Sequence, residues 1–224
     1  MTILALEFSS PQRSIAVVHP RTGAGAFAAS EVIETGASGT RALEMVDDAL
    51  REARLEREQV DVLAVGLGPG SYTGIRAALA LAQGWLLASR KDRLKLLGIS
   101  SAECVAAQAQ AENIFGCVNV VIDAQRNELY LAAYEISVDG WREVEPLKIL
   151  PQAELAARAG ATQTLVGPEV TRWFSNGRII FPRAAMLGQL ASRRADFASG
   201  DKLEPIYLRE TKFIKAPPSR QTAS

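Results

Sequence analysis

The chain has 224 residues, and its 25 basic and 25 acidic side chains give a formal net charge of zero. Neutrality argues against a chain that binds nucleic acid mainly through its own positive charge. Hydrophobic residues make up 48% and charged residues 22%, the balance of an ordinary globular protein. No basic leader with a cleavage site opens the sequence and no apolar run is long enough to span a membrane, so we expect a cytoplasmic protein.

The first hundred residues predict an alternation of strands and helices. Continuously apolar segments predict buried strands, and apolar residues at helical spacing predict amphipathic helices. On these criteria we expect strands over residues 2–8, 13–19, 24–34, 61–67 and 94–99, with helices over residues 40–55 and 73–89.

The second half repeats this order. We expect helices over residues 102–111, 152–159 and 184–198 and strands over residues 117–124, 128–136, 141–150 and 162–167, with a short apolar stretch at 178–181. Three strands followed by alternating helices and strands, occurring twice, predict a duplicated mixed α/β fold. We therefore assign an N-terminal lobe to residues 1–100, a C-terminal lobe to residues 101–210 and a disordered tail to residues 211–224.

Few residues are suited to catalysis or metal binding. Each half opens with a strand that ends in an acid, Glu7 in the first and Asp123 in the second. Such an acid could position a metal or a water, but an acid at a turn is more often solvated or a backbone acceptor. The only histidine is His19, and we interpret Cys104 and Cys117 as small buried apolar residues. No metal site is predicted.

The segment GLGPGSYTGIR at residues 66–76 places a glycine-rich turn between a strand and a helix. It lacks the lysine of a P-loop, and Thr73 stands where a dinucleotide fingerprint has its third glycine. Two interpretations remain. An anion could meet the helix start at Gly70, Ser71 and Thr73, with Arg76 one turn further. In the second interpretation, which we favour, the glycines form a tight turn and Ser71 or Thr73 caps the helix.

The helix that follows this turn has little polar surface. Between Ile75 and Ala88 only Arg76, Gln83 and Gly84 interrupt the apolar residues. A helix that is apolar all round is either buried on every side or covers a partner. The helix over residues 40–55 also carries apolar residues on more than one face. We predict a protein interface formed by Leu43, Val46, Leu50, Ile75, Leu79, Ala82, Trp85 and Leu86.

Five segments resemble motifs of the bacterial TsaB (YeaZ) family, in the same order and from residue 2 to about residue 210. They are ILALEFSS, VGLGPGSYTGIRAALALAQGWLLA, GISSAECVA, IDAQRNELYLAAYE and EPIYLRE. The second resembles the family's most specific signature, GxGPGSFTGLRxGxxxAKGLA. The chain departs from the family pattern at Glu7-Phe8-Ser9, where an acid-Thr-Ser opening is usual. It also departs at residues 38–44, where the family has HSExLLP, and at Gln83, where the signature has lysine.

The resemblance implies an actin-like/Hsp70-like ATPase (ribonuclease H-like) fold with two related lobes. It implies a non-catalytic subunit in the synthesis of threonylcarbamoyladenosine in tRNAs that read codons beginning with A. Its implied partners are the catalytic paralogue TsaD and the P-loop ATPase TsaE, with tRNA contacted only indirectly. Independently of the resemblance, an exposed pair of apolar helices tends to self-associate, so we expect a homodimer when the chain is alone. No cofactor is expected to be tightly bound, and a nucleotide is expected at most at a subunit boundary.

Two other functions stay open at the level of sequence. One is a nucleotide-dependent transferase or sugar-kinase-like enzyme with an active cleft between the lobes. The other is a glycoprotease, an older label for relatives, which the lack of a nucleophile or metal-ligand set disfavours.

Overall fold

The fold is described from a computed structural model over residues 1–20, 27–36, 40–89, 94–158, 163–198 and 203–209. The tail predicted for residues 211–224 lies outside the described residues. So do residues 24–26 of the predicted third strand and part of the divergent segment at residues 38–44.

The first half of the chain forms a five-stranded mixed sheet, here called sheet A. Its strands are β1 (Ile3–Glu7), β2 (Gln12–Pro20), β3 (Phe27–Thr35), β4 (Val62–Gly66) and β5 (Lys95–Ile99). The order is β3-β2-β1-β4-β5. β2 pairs antiparallel with both β1 and β3, whereas β4 pairs parallel with both β1 and β5. Strands β1 and β4 are buried along their whole length, which explains their continuous apolar runs.

The second half forms sheet B with the same topology. Its strands are β6 (Gly116–Asp123), β7 (Glu128–Ser137), β8 (Gly140–Pro151), β9 (Thr164–Gly167) and β10 (Arg178–Ile179). The order is β10-β9-β6-β7-β8, so β6 occupies the position that β1 has in sheet A. The predicted duplication is therefore confirmed, and the two acids at the ends of β1 and β6 lie at equivalent places.

Helices cover both faces of each sheet. α1 (Ala42–Ala53) and α2 (Tyr72–Ala88) pack on one face of sheet A, and α5 (Ala184–Ala191) packs on the other. α3 (Ser101–Ala111) lies between the sheets, and α4 (Gln152–Arg158) packs on the outer face of sheet B. Cys104 of α3 contacts the core of sheet A while Val105 contacts that of sheet B. Burial on both sides explains why most residues of α3 are small or apolar.

The C-terminal part of the chain departs from the sequence prediction in two ways. The helix predicted to reach residue 198 ends at Ala191, and the amide of Ala198 instead donates to Leu96 O of β5 at 2.9 Å. α5 also packs on sheet A rather than within the lobe to which residues 101–210 were assigned. Apolar periodicity identifies a buried helix face, but it does not say which of two sheets buries it.

α5 is capped by residues distant in sequence. The amide of Ala184 donates to the hydroxyl of Ser14 at 2.8 Å, and the amide of Ala185 donates to Glu31 at 3.1 Å. Arg183 donates to the same Glu31 carboxylate, which raises the pKa of Arg183 above its ordinary value. Strands β2 and β3 thus supply the acceptors that a helix N-terminus requires.

The two cysteines differ in environment. Cys104 is fully buried, and this burial raises the pKa of its thiol well above the ordinary value. The prediction that Cys117 is buried was wrong, because it lies at the second position of β6, before the strand enters the core.

Candidate functional site

The side chain of Glu7, at the end of β1, is completely buried beside the glycine-rich turn. Its Oε1 accepts from the amide of Ser9 at 2.8 Å, and its Oε2 accepts from the hydroxyl of Ser101 at 2.8 Å. Ser101 in turn accepts from the amide of Gly68 at 3.2 Å and donates its own amide to Gly68 O at 2.7 Å. Both carboxylate oxygens are therefore engaged within the chain. Burial raises the pKa of Glu7.

The glycines of this region are required by close packing. A Cβ on Gly66 would lie 2.0 Å from Oε2 of Glu7, and one on Gly74 would lie 2.0 Å from Phe8 O. Gly70 has a φ of 142°, and its Cβ would lie 2.1 Å from Ser9 O. The turn thus packs directly on the segment after β1. Phe8, which replaces the threonine of the family pattern, is itself fully buried in the core of sheet A.

The helix-cap interpretation of the turn is confirmed for Ser71. Its hydroxyl accepts from the amide of Gly74 at 3.2 Å, and its own amide donates to Ser9 O at 2.7 Å. The guanidinium of Arg76 lies over the ring of Tyr72, 4.2 Å from its centroid. Anion binding by Gly70, Ser71, Thr73 and Arg76 stays a prediction, and part of the donor set that it needs is already used within the chain.

Asp123 repeats the arrangement of Glu7 in the second half. Its Oδ1 accepts from the amide of Gln125, two residues on, at 2.7 Å, as Glu7 accepts from Ser9. Arg172 lies 3.7 Å from its Oδ2. A Cβ on Gly167, at the end of β9, would lie 1.9 Å from Val121 O. Both turn acids therefore accept hydrogen bonds from backbone amides, which is a common role for an acid at a turn.

A groove of about 790 Å³ lies on the outer side of α1 and α2, and we call it the docking groove. Leu43 of α1 forms one side and is 64% exposed, while Trp85 of α2 forms the other and is partly buried. The guanidinium of Arg57 lies 5.7 Å from the Trp85 ring centroid. The groove is lined by Leu43, Arg57, Glu58, Ala80, Leu81, Gly84, Trp85, Ala88 and Ser89.

The structure divides the predicted interface residues into two groups. Five are at most 5% exposed and pack in the chain's own core on sheet A: Val46, Leu50, Ile75, Leu79 and Ala82. Leu43, Trp85 and Leu86 reach the surface wholly or in part. The sequence did not separate the two groups because α1 and α2 both carry apolar residues on more than one face, and composition does not tell which face meets the chain's own sheet.

Over the residues that the structure describes, no group of three or more His, Cys, Asp or Glu side chains is arranged to hold a metal ion. Within the same residues, no helix is long and apolar enough to cross a membrane.

Comparison with known proteins agrees with this architecture. The sequence profile described as "TsaD: tRNA N6-adenosine threonylcarbamoyltransferase" matches residues 37–209. The "tRNA threonylcarbamoyladenosine biosynthesis protein TsaB" of Haemophilus influenzae is 29% identical, with 99% of each chain covered. That of Escherichia coli is 28% identical over 99% of this chain and 100% of the relative. A solved structure, "YeaZ from Pseudomonas aeruginosa", superposes with a TM-score of 0.76 at 27% identity, covering 92% of this chain and 99% of that one.

Two sheets of the same strand order, with helices on their faces, define the actin-like/Hsp70-like ATPase (ribonuclease H-like) class. In this chain the glycine-rich turn leads into α2, with Ser71 as its cap. The chain belongs to the TsaD family and, within it, to the TsaB (YeaZ) proteins of tRNA threonylcarbamoyladenosine biosynthesis.

Proposed function

We propose that this chain is a non-catalytic subunit that binds a TsaD-type catalytic subunit through the docking groove. The complex would make threonylcarbamoyladenosine in tRNAs that read codons beginning with A. The observation that carries the proposal is the groove itself, an open cavity of about 790 Å³ with apolar side chains on two helices.

The chemistry of the groove fits a protein partner. Trp and Arg are among the residue types that most often dominate binding energy at interfaces. In this groove the guanidinium of Arg57 lies over the ring of Trp85. Leu43 offers further apolar surface. The side chains beneath the groove, such as Val46 and Leu79, are anchored in the core of sheet A. Both helices are therefore already held in place before binding, which reduces its entropic cost.

A non-catalytic role is supported by the environment of Glu7. The acid at the end of the first strand is the natural candidate for chemistry in this half. Its two oxygens accept bonds from Ser9 and Ser101, and its surface is completely buried. A substrate or metal would have to displace both bonds to reach it.

The remaining partners follow from the resemblance. We propose that a TsaE-type ATPase joins the pair and that tRNA is held mainly by the other subunits. The formal net charge of zero supports the second point, because RNA-binding domains usually carry a basic surface. A nucleotide would be bound only where subunits meet.

Light scattering of the purified chain mixed with its TsaD-type subunit tests the proposal. We expect one species with the summed mass at micromolar concentration, and Trp85→Glu should weaken association at least tenfold by placing a charge in the groove. Val138→Glu is the matched control, because Val138 is 76% exposed and lies in the turn between β7 and β8 of sheet B. Two separate species for the wild-type chain, or unchanged association of Trp85→Glu, would contradict the proposal.

A further inference from the structure

Residues 203–209, here called the strap, run from sheet A to the first turn of sheet B. Leu203 is 8% exposed and belongs to the core of sheet A. It lies so close to β5 that a Cβ on Gly98 would be 2.8 Å from its Cδ2. The amide of Ile206 then donates to Leu67 O at 2.8 Å, directly after β4. The strap is thus fixed to the beginning of the glycine-rich turn.

The next residue of the strap contacts the start of α2. The ring of Tyr207 stacks on that of Tyr72, with centroids 5.4 Å apart and planes 27° apart. Arg76 lies over the same Tyr72 ring. Tyr72 is the first residue of α2, so the stack ties the strap to the helix that the glycine-rich turn begins.

The strap ends on the turn that joins β6 and β7. Arg209 donates from one guanidinium nitrogen to Ala124 O at 3.0 Å and pairs with the Glu128 carboxylate. A longer contact of 3.4 Å reaches Gln125 O. In this turn Gln125, Arg126 and Asn127 all have φ near +60°. Three consecutive non-glycine residues keep that conformation only when their surroundings hold it, and Arg209 supplies part of that hold.

We infer that Tyr207 and Arg209 are positioning residues that couple the two turns, residues 66–71 and residues 124–128, through the strap. These turns follow β4 in one sheet and β6 in the other, and the strap contacts both within three residues. Loosening either contact therefore leaves the short segment between them held at one end only, which weakens its hold on the other turn. Because Tyr72 starts α2, the strap also holds one end of the helix that lines the docking groove; this link to partner binding rests on the proposed function.

Hydrogen–deuterium exchange of the isolated full-length chain tests the coupling. Tyr207→Ala removes the stack on Tyr72, the residue directly after the first turn, and Arg209→Ala removes the contacts with the second turn. We expect each single variant to exchange about fivefold faster or more at both turns, since the segment from Tyr207 to Arg209 is held between them and loses its order when either end is released. If each variant exchanged faster only at the turn that it contacts, the two contacts would be independent and the inference would be wrong.

Two control variants separate this outcome from general destabilisation. Tyr207→Phe keeps the ring and should exchange like the wild type at both turns. Lys148→Ala removes an ion pair with Glu145 in β8, away from the strap, and should leave both turns unchanged. A uniform rise across both sheets in the two alanine variants would contradict a positioning role. No partner is present in this experiment, so its result is independent of whether the docking groove binds a catalytic subunit.

Discussion

The hydroxyl of Ser101 donates to Oε2 of Glu7 at 2.8 Å, although 94 positions separate the two residues in the sequence. Ser101 is the first residue of α3, which lies between the two sheets, and Glu7 is the last residue of β1. The bond therefore joins the helix shared by both halves to the central strand of sheet A. The amide of Gly68 donates to the same Ser101 hydroxyl, so the glycine-rich turn is bonded to α3 at this point as well.

Replacing Glu7 with glutamine should change how stability depends on pH. The pKa of Glu7 is raised in the folded chain by burial, so between its ordinary and its raised pKa the folded state holds more protons than the unfolded state. The contribution of Glu7 to stability is then fully present below the ordinary value and is lost as pH rises through the raised one. The glutamine side chain of the variant does not titrate. We expect the stability of the wild type relative to Glu7→Gln to fall with rising pH, by at most about 1.4 kcal/mol per pH unit.

Urea unfolding at pH 4 to 8 measures this difference. The glutamine oxygen can still accept from the amide of Ser9, but its NH2 group replaces the oxygen that accepts from Ser101. The pH dependence of the difference in stability, and not its size at one pH, therefore reports the titration of Glu7. Parallel stability curves for the two proteins would show that burial does not shift this carboxyl.

Two glycines of α2 should respond oppositely to alanine. A Cβ on Gly74 would lie 2.0 Å from the backbone oxygen of Phe8, which cannot move without shifting the end of β1. Gly84 has no atom within 4 Å of the same position and lies inside the helix. We expect Gly74→Ala to destabilise the chain by about 1–3 kcal/mol and Gly84→Ala to stabilise it by up to about 1 kcal/mol. Thermal or urea unfolding of the pair measures both effects, and equal effects would contradict the packing described for the turn.

The cap of α5 should depend on Ser14. Ser14 is fully buried, and its hydroxyl accepts from the amide of Ala184. Ser14→Ala leaves this buried amide without an acceptor, and we expect a loss of about 1–2 kcal/mol in the free energy of unfolding. Ser175→Ala, at an exposed position, is the control and should change stability by no more than about 0.5 kcal/mol. An unaffected Ser14→Ala variant would show that the tertiary cap contributes nothing.

Local sequence signals predicted the parts of the fold that depend on local physics. Continuous apolar runs identified β1 and β4, and the glycine-rich turn with Ser71 or Thr73 as the cap predicted the start of α2 to within one residue. The equivalence of Glu7 and Asp123 was visible because both end the first strand of a repeated pattern. These features need only a strand, a turn and a helix in order along the chain.

Features that depend on distant contacts were not predictable in this way. Nothing near Arg183 indicates that Ser14 and Glu31 cap α5 from 170 and 154 positions away. The sequence likewise showed that α2 is apolar on more than one face, without showing that Ile75 and Leu79 meet sheet A while Trp85 lines a groove. The groove itself could be found only once Leu43 and Arg57 were placed beside α2.

The proposed function makes the docking groove necessary for tRNA modification. Glutamate at both Leu43 and Trp85 would place charge on its two sides. Both side chains reach the surface, so the variant should fold like the wild type, which circular dichroism and urea unfolding can check.

The most direct measurement is incorporation of labelled threonine into tRNA by the purified components of the modification system, with this chain present, absent or replaced by a variant. We predict that modification requires the chain, is restored by Val138→Glu, and falls at least tenfold with the Leu43→Glu, Trp85→Glu double variant. Full modification without the chain, or with a folded double variant, would contradict the account.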